Sequence, residues 1–150
     1  MKQIRFTKEG YEKLEQEYQE LVAQRPSAIE DLKKAREMGD LSENGYYKAA
    51  RSRLSFLDNR LQMLRLYLKI AVIVDADNSE SVDIGSVVTL SDGKTDRTFN
   101  IVGDLEADPA QGKLSLLSPI GKAIAKRNAG SKIRIETPRG EIIYKIVSVN

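Results

Sequence analysis

Cysteine and histidine are both absent from this 150-residue chain, and together the two absences exclude a good deal of chemistry. Without cysteine there are no disulfides and no thiolate nucleophile; without histidine there is no imidazole general base, and zinc loses its usual nitrogen and sulfur ligands. Polar chemistry must rest on carboxylates, lysine, arginine, tyrosine or serine, and a bound metal should be a hard, oxygen-preferring ion such as Mg²⁺. Long hydrophobic runs are missing too. Nothing approaches the roughly 18 apolar residues that span a bilayer, and the densest stretch, Ile70–Val74, is strand-sized. The opening MKQIRFTKEG lacks the apolar core of a signal peptide, so a cytoplasmic protein with no membrane partner is expected. The formal net charge of +2 is too small to argue for nucleic-acid binding, and the placement of the charges carries more information.

With 41% hydrophobic and 31% charged residues, the composition is that of a globular chain rich in exposed helix. After Thr7, a helix N-cap candidate, apolar positions recur at Tyr11, Leu14, Tyr18, Leu21, Ala28, Leu32 and Ala35 with spacings of three and four, interrupted by the charge of Arg25. Pro26 falls inside this run and by propensity predicts a kink or local irregularity, with the helix resuming at Ser27. A second seam follows a break at Gly39: Tyr47, Ala50, Leu54, Leu57, Leu61, Leu64 and Leu68. One fold-back centred on Leu41 sets Ala35 opposite Tyr47, Ala28 opposite Leu54, Leu21 opposite Leu61 and Leu14 opposite Leu68. That is the register of an antiparallel coiled-coil hairpin, whose arm of roughly 30 residues would project about 45 Å. A compact bundle is the alternative, but it wants a wider apolar face than these narrow stripes offer.

Beyond Ile70 the period changes. Residues 71–75 read as a strand and 78–85 as a linker or early loop; then come strands at 87–90, 98–102 and 114–117, with a turn at Asp92-Gly93. Ser118 before Pro119 predicts the capped start of a short helix that stops near Gly130. Alternating runs at 132–136 and 141–149 flank the turn Pro138-Arg139-Gly140 as a hairpin. The fold class is therefore α+β: a helical hairpin domain over 1–75 with its tip near 39–44, and a small antiparallel sheet with one helix over 76–150.

Asp40 and Glu43 lie three residues apart at the tip. D-x-x-E at a helix start is a capping box, and Ser42 offers a second cap, so the helix start is explained without any function. Two carboxylates about one turn apart at the end of a rod also suit a shared divalent cation, provided that a partner completes its ligands. Behind them stand Lys33, Lys34, Arg36, Lys48, Arg51 and Arg53, while the base half of the first helix is acidic. Such a charge run can be a solvated helix face; it can equally hold phosphates behind an acidic point. Tyr46 offers stacking surface for a base, whereas Tyr47 falls on the seam.

AREMGDLSENGYYKAAR (35–51), IVGDLEAD (101–108) and SPIGKAIAKRNAGSKIRIETPRGEIIYKIVSV (118–149) resemble the bacterial Gre-type transcript cleavage factors, over nearly the whole chain. The resemblance implies a coiled coil that enters the secondary channel of RNA polymerase and an FKBP-like domain that docks on its rim. It implies that Asp40 and Glu43 help to hold a second Mg²⁺, shared with polymerase, and orient the water that attacks the RNA. By the same resemblance Ser42, Asn44 and Tyr46 support the tip, and Arg36 and Arg51 contact the nascent RNA 3′ end. The factor would be a monomer that stimulates an activity of the polymerase and is not itself an enzyme. The tip departs from the family pattern at Gly45-Tyr46, where an alanine and an acidic residue are usual. That departure keeps open a channel-binding regulator that inhibits without cleavage. A peptide-binding or prolyl-isomerase module is a third reading, resting only on the FKBP-like look of a domain whose aromatics are Phe99 and Tyr144.

Overall fold

The computed structural model describes residues 2–39, 44–75 and 80–150. It divides into two compact units, one helical over Glu12–Ile70, the other joining Met1–Tyr11 to Ala71–Asn150.

Helix α1 (Lys8–Arg36) starts where Thr7 caps it, the Thr7 Oγ1 accepting from the Gly10 N–H at 3.0 Å. Helix α2 spans Gly45–Ile70. The apolar stripes are the buried faces: Leu14, Ala28 and Ala35 of α1, with Ala50, Leu57, Leu61 and Leu64 of α2. The remaining seam positions are half-buried, except Arg25, which is exposed. Three ion pairs cross between the helices: Glu17 with Arg60 at 2.6 Å, Arg25 with Asp58 at 2.7 Å and Asp31 with Arg53 at 2.7 Å. As the numbers rise along α1 they fall along α2, so the pairing is antiparallel. A fourth rung is made by Arg65, whose Nε donates to the Tyr18 hydroxyl at 3.2 Å with the guanidinium 6.0 Å from the ring centre. Each exposed pair is worth little, about 0.2–1 kcal/mol. Their main contribution is register.

The interruption expected at Pro26 is absent, since α1 is one element of 29 residues. Pro26 is exposed and Val22, the residue whose carbonyl loses its helical partner, is 43% exposed. The unpaired carbonyl thus belongs to the solvent side of the helix, where water can satisfy it, while Ala28 next to it is fully buried.

In the other unit, β1 (Ile4–Phe6) pairs in parallel with β2 (Ala71–Ile73). A five-stranded sheet runs in the order β5-β4-β3-β7-β6, formed by β3 (Val87–Ser91), β4 (Asp96–Val102), β5 (Lys113–Ser115), β6 (Lys132–Thr137) and β7 (Gly140–Val149). The expected antiparallel sheet has one parallel edge, β4 with β5, because a connection through the 3-10 turn Pro109–Gln111 brings the chain back in the same direction. Helix α3 (Pro119–Ile124) has Ser118 as its cap, accepting from the Gly121 N–H at 3.0 Å. It ends six residues short of Gly130. Alternation places Val88 and Leu90 of β3, Ile101 of β4, Ile133 and Ile135 of β6 and Ile146 of β7 in one core with Val82, Ile84, Leu114, Leu116 and Ile124.

The stretch 101–108 ties the first strand into this unit. Asp104 accepts from the Arg5 backbone N–H at 2.8 Å and pairs with its guanidinium at 2.9 Å. Glu106 accepts from the backbone N–H groups of Thr7 at 2.8 Å and Gly103 at 2.9 Å, and from the Thr7 hydroxyl. A carboxylate is well placed there, at the positive end of α1. Gly103 permits the approach: a Cβ at this position would come within 2.5 Å of the Arg5 carbonyl oxygen and 2.7 Å of the Phe6 Cα.

Candidate functional site

The end of the helical unit is built from short-range signals. At the end of α1 the Glu37 N–H bonds the Lys34 carbonyl and the Met38 N–H bonds the Ala35 carbonyl, both at 3.2 Å, a tightening common in last turns. Gly39 then adopts φ 113°, a conformation costly to any residue with a Cβ, and the helix stops. On the other side α2 opens at Gly45, and its cap is Asn44, whose Oδ1 accepts from the Tyr47 N–H at 3.2 Å. The same side chain donates through Nδ2 to the Ala35 carbonyl at 2.9 Å. One residue therefore satisfies a terminal donor of α2 and a terminal acceptor of α1, clasping the two helix ends.

This corrects the capping-box account, in which Asp40 with Glu43, or Ser42, begins the second helix. The element begins later, at Gly45, with its cap already supplied by Asn44. Asp40, Ser42 and Glu43 lie outside the described residues, and with them the carboxylate pair expected to meet a metal. Among the described residues no group of three or more acids is placed to hold one. The donor chemistry suits a hard divalent cation, since both side chains offer only carboxylate oxygens, but two residues leave most of its ligands to be found elsewhere.

Lys33, Lys34 and Arg36 occupy the last turn of α1, where positive charge complements the helix dipole. Arg36, Lys48 and Arg51 are exposed and form no ion pair among the described residues. Arg53 does not belong with them. It is committed to Asp31 as a rung of the hairpin. The two tyrosines separate as the seam predicts: Tyr47 is half-buried, and Tyr46 is 75% exposed. Met38 beside it is 62% exposed, and its part in the surface carried no sequence signal.

The rungs shift the titration of their members. Asp58 is held below the usual carboxylate range, first by its hydrogen bond from Arg25, and Arg25 is raised in turn. Arg60 is raised by its hydrogen bond to Glu17. In the sheet unit an apolar groove of about 390 Å³ is lined by Leu114, Pro119, Ile120, Ile135, Ile142 and Tyr144. A groove there went unseen in the sequence because Tyr144 reads only as a strand residue.

Both halves of the chain, the helical hairpin and the small sheet, match one class of protein, the transcription elongation factors. Residues 4–73 match the N-terminal region of the transcription elongation factors, and residues 77–150 match the GreA/GreB C-terminal region. The chain belongs to the GreA/GreB family of transcription elongation factors and is of the GreA kind. Transcription elongation factor GreA of Geobacillus kaustophilus is 45% identical, covering 99% of this chain and 97% of that one. Its counterpart in Paracoccus denitrificans is 39% identical, covering 99% and 98%. Among solved structures, GreA factor homolog 1 of Thermus thermophilus aligns over 99% of both chains at 27% identity with a TM-score of 0.47.

Proposed function

We propose that this elongation factor acts in the cytoplasm on RNA polymerase, as a monomer that inserts the tip of its hairpin into the secondary channel and stimulates hydrolysis of backtracked nascent RNA. The hairpin within 1–75 would insert, and the unit that contains 76–150 would dock on the rim. The observation that carries the reading is the cap at Asn44: its Oδ1 accepts from the Tyr47 N–H, so α2 has a cap other than the two acids that the sequence places at the turn of a Gre-family hairpin.

Asp40 and Glu43 are the residues that would hold a Mg²⁺ shared with the polymerase, and what the ion supplies there is Lewis-acid activation of the phosphodiester and the attacking water. Arg36 and Arg51, exposed and unpaired among the described residues, hold phosphates of the RNA 3′ end. Ser42 supports the acids, and Asn44 keeps the two helix ends together so that both arms meet the RNA in one geometry. The chemistry belongs to the polymerase, and the factor is no enzyme by itself.

Purified protein added to a stalled, backtracked polymerase should release short 3′ fragments in a Mg²⁺-dependent way, and Asp40→Ala should abolish the release while binding persists. Absence of release with the unmodified protein overturns the proposal. The exposed Tyr46 favours a second reading, a channel-occupying regulator without cleavage. Its mark is inhibition of RNA synthesis that survives Asp40→Ala.

A further inference from the structure

Beside the clasp, on one flank of the hairpin, lies a groove of about 330 Å³. Its floor is shallow because the seam near the turn is made of alanine: Ala35 is 2% exposed and Ala50 9%, where a leucine would fill the space. Its walls are Met38 and Tyr46, both exposed, large and largely apolar. Lys34 stands at its rim with no ion pair among the described residues, and Arg53 is held in place by Asp31 at 2.7 Å.

An exposed aromatic face, a polarisable thioether, a floor without bulk and a cation at the edge together suit a flat heteroaromatic ring attached to a phosphate. Charge complementarity points the same way. Lys33, Arg36, Lys48 and Arg51 flank the groove in sequence, and all are exposed. A peptide would find few polar partners for its backbone on an alanine floor. A nucleobase needs none, because stacking does not require hydrogen bonds to its edges.

We propose that this groove is a subsite for one unpaired nucleobase of RNA, stacked on Tyr46 against Met38, with the adjoining phosphate on Lys34. The inference rests on the proposed delivery of the tip to the nascent RNA, and deepens it by naming what the tip holds. The residue that departs most from the family pattern then becomes a contact to the substrate.

Two readouts test it on the full-length protein. In the first, backtracked polymerase carries RNA with either a natural or an abasic nucleotide at each position of the extruded 3′ segment. Stacking of one base is worth enough for Tyr46→Ala to slow cleavage of natural RNA about tenfold. Tyr46→Phe should retain the rate, and polymerase binding should be unchanged in both variants. At the position that occupies the groove, abasic RNA should slow the unmodified protein equally and leave Tyr46→Ala no slower still. In the second, the Met38 methyl signal is followed by NMR as the free protein is titrated with a tetraribonucleotide or with the same backbone lacking bases. A shift with the first and none with the second is expected. Unchanged cleavage by Tyr46→Ala, losses that multiply at every position, or equal methyl shifts with both oligomers overturn the subsite. If the unmodified protein cleaves nothing, the proposed function fails, and the methyl titration alone decides whether the groove takes a base.

Discussion

Asn44 holds together a turn in which a different pair of residues draws the eye. Its carboxamide puts a separate acceptor and donor on one neutral side chain, Oδ1 accepting from the Tyr47 N–H and Nδ2 donating to the Ala35 carbonyl; glutamine offers the same pair but is one methylene too long for a cap. Asn44→Ala should cost about 1–2 kcal/mol, the loss of a cap together with a half-buried carbonyl partner. Asn44→Asp should lose less, because the acceptor for Tyr47 remains while the donor to Ala35 is gone. Urea denaturation monitored by helical circular dichroism checks both: equal losses in the two variants would show that the Tyr47 cap contributes nothing, and no loss in Asn44→Asp would show the same of the Ala35 bond. In the sequence Asn44 reads as a supporting tip residue and no more. Asp40, Ser42 and Asn44 are all good caps within five positions, and local propensity cannot rank them. The choice is made by where the carbonyl of Ala35 ends up, which depends on the whole hairpin.

At the scale of the element, the hairpin was legible in detail. The two seams alternate three and four, and every predicted seam position except Arg25 is buried or half-buried. Arg25 reads as a flaw in the stripe, yet it turns outward to Asp58, one residue beyond the partner that strict facing would assign. Long side chains can leave the seam while their Cβ atoms stay on it, a freedom that periodicity does not record. The pair makes a specific prediction. Asp58 titrates below an ordinary aspartate, and Arg25→Met should return it towards the usual value, as followed by NMR of the carboxyl carbon. A folded-state value depressed in this way contributes stability above the unfolded carboxylate's value, and the contribution is lost as pH falls through the folded one. Since both partners are exposed, added salt should shrink the difference between the two proteins. An Asp58 midpoint that does not respond to Arg25→Met would remove the pair from the register argument. Pro26 is the opposite case. Its propensity predicted an interruption, and tertiary context overrode it, because the lost hydrogen bond falls on the solvent side.

At the scale of the molecule, the sheet unit is not a continuous piece of chain. It needs Ile4–Phe6 for β1, and it holds them through Arg5 with Asp104 and Thr7 with Glu106, each 99 residues apart. A chain lacking residues 1–6 should therefore lose protection at the β2 amides and at Gly103, measured by hydrogen exchange. The helical unit, Glu12–Ile70, should be unaffected at its centre. Protection of β2 as strong as in the full chain would mean that β1 is dispensable.

What the residue order alone determined is whatever repeats over a few positions: the two seams and their fold-back, the alternation of the later strands, and the caps at Thr7 and Ser118. Helix and strand periods are local geometry, and buried faces follow from them. Tertiary structure alone decided the partner of β2, the parallel edge at β5, the fit of Glu106 beside Gly103, the clasp at Asn44 and the open groove beside Tyr46. Each of these depends on groups brought together by the fold rather than by spacing. A single carboxylate or amide meeting one backbone group leaves no repeating pattern from which it could be read.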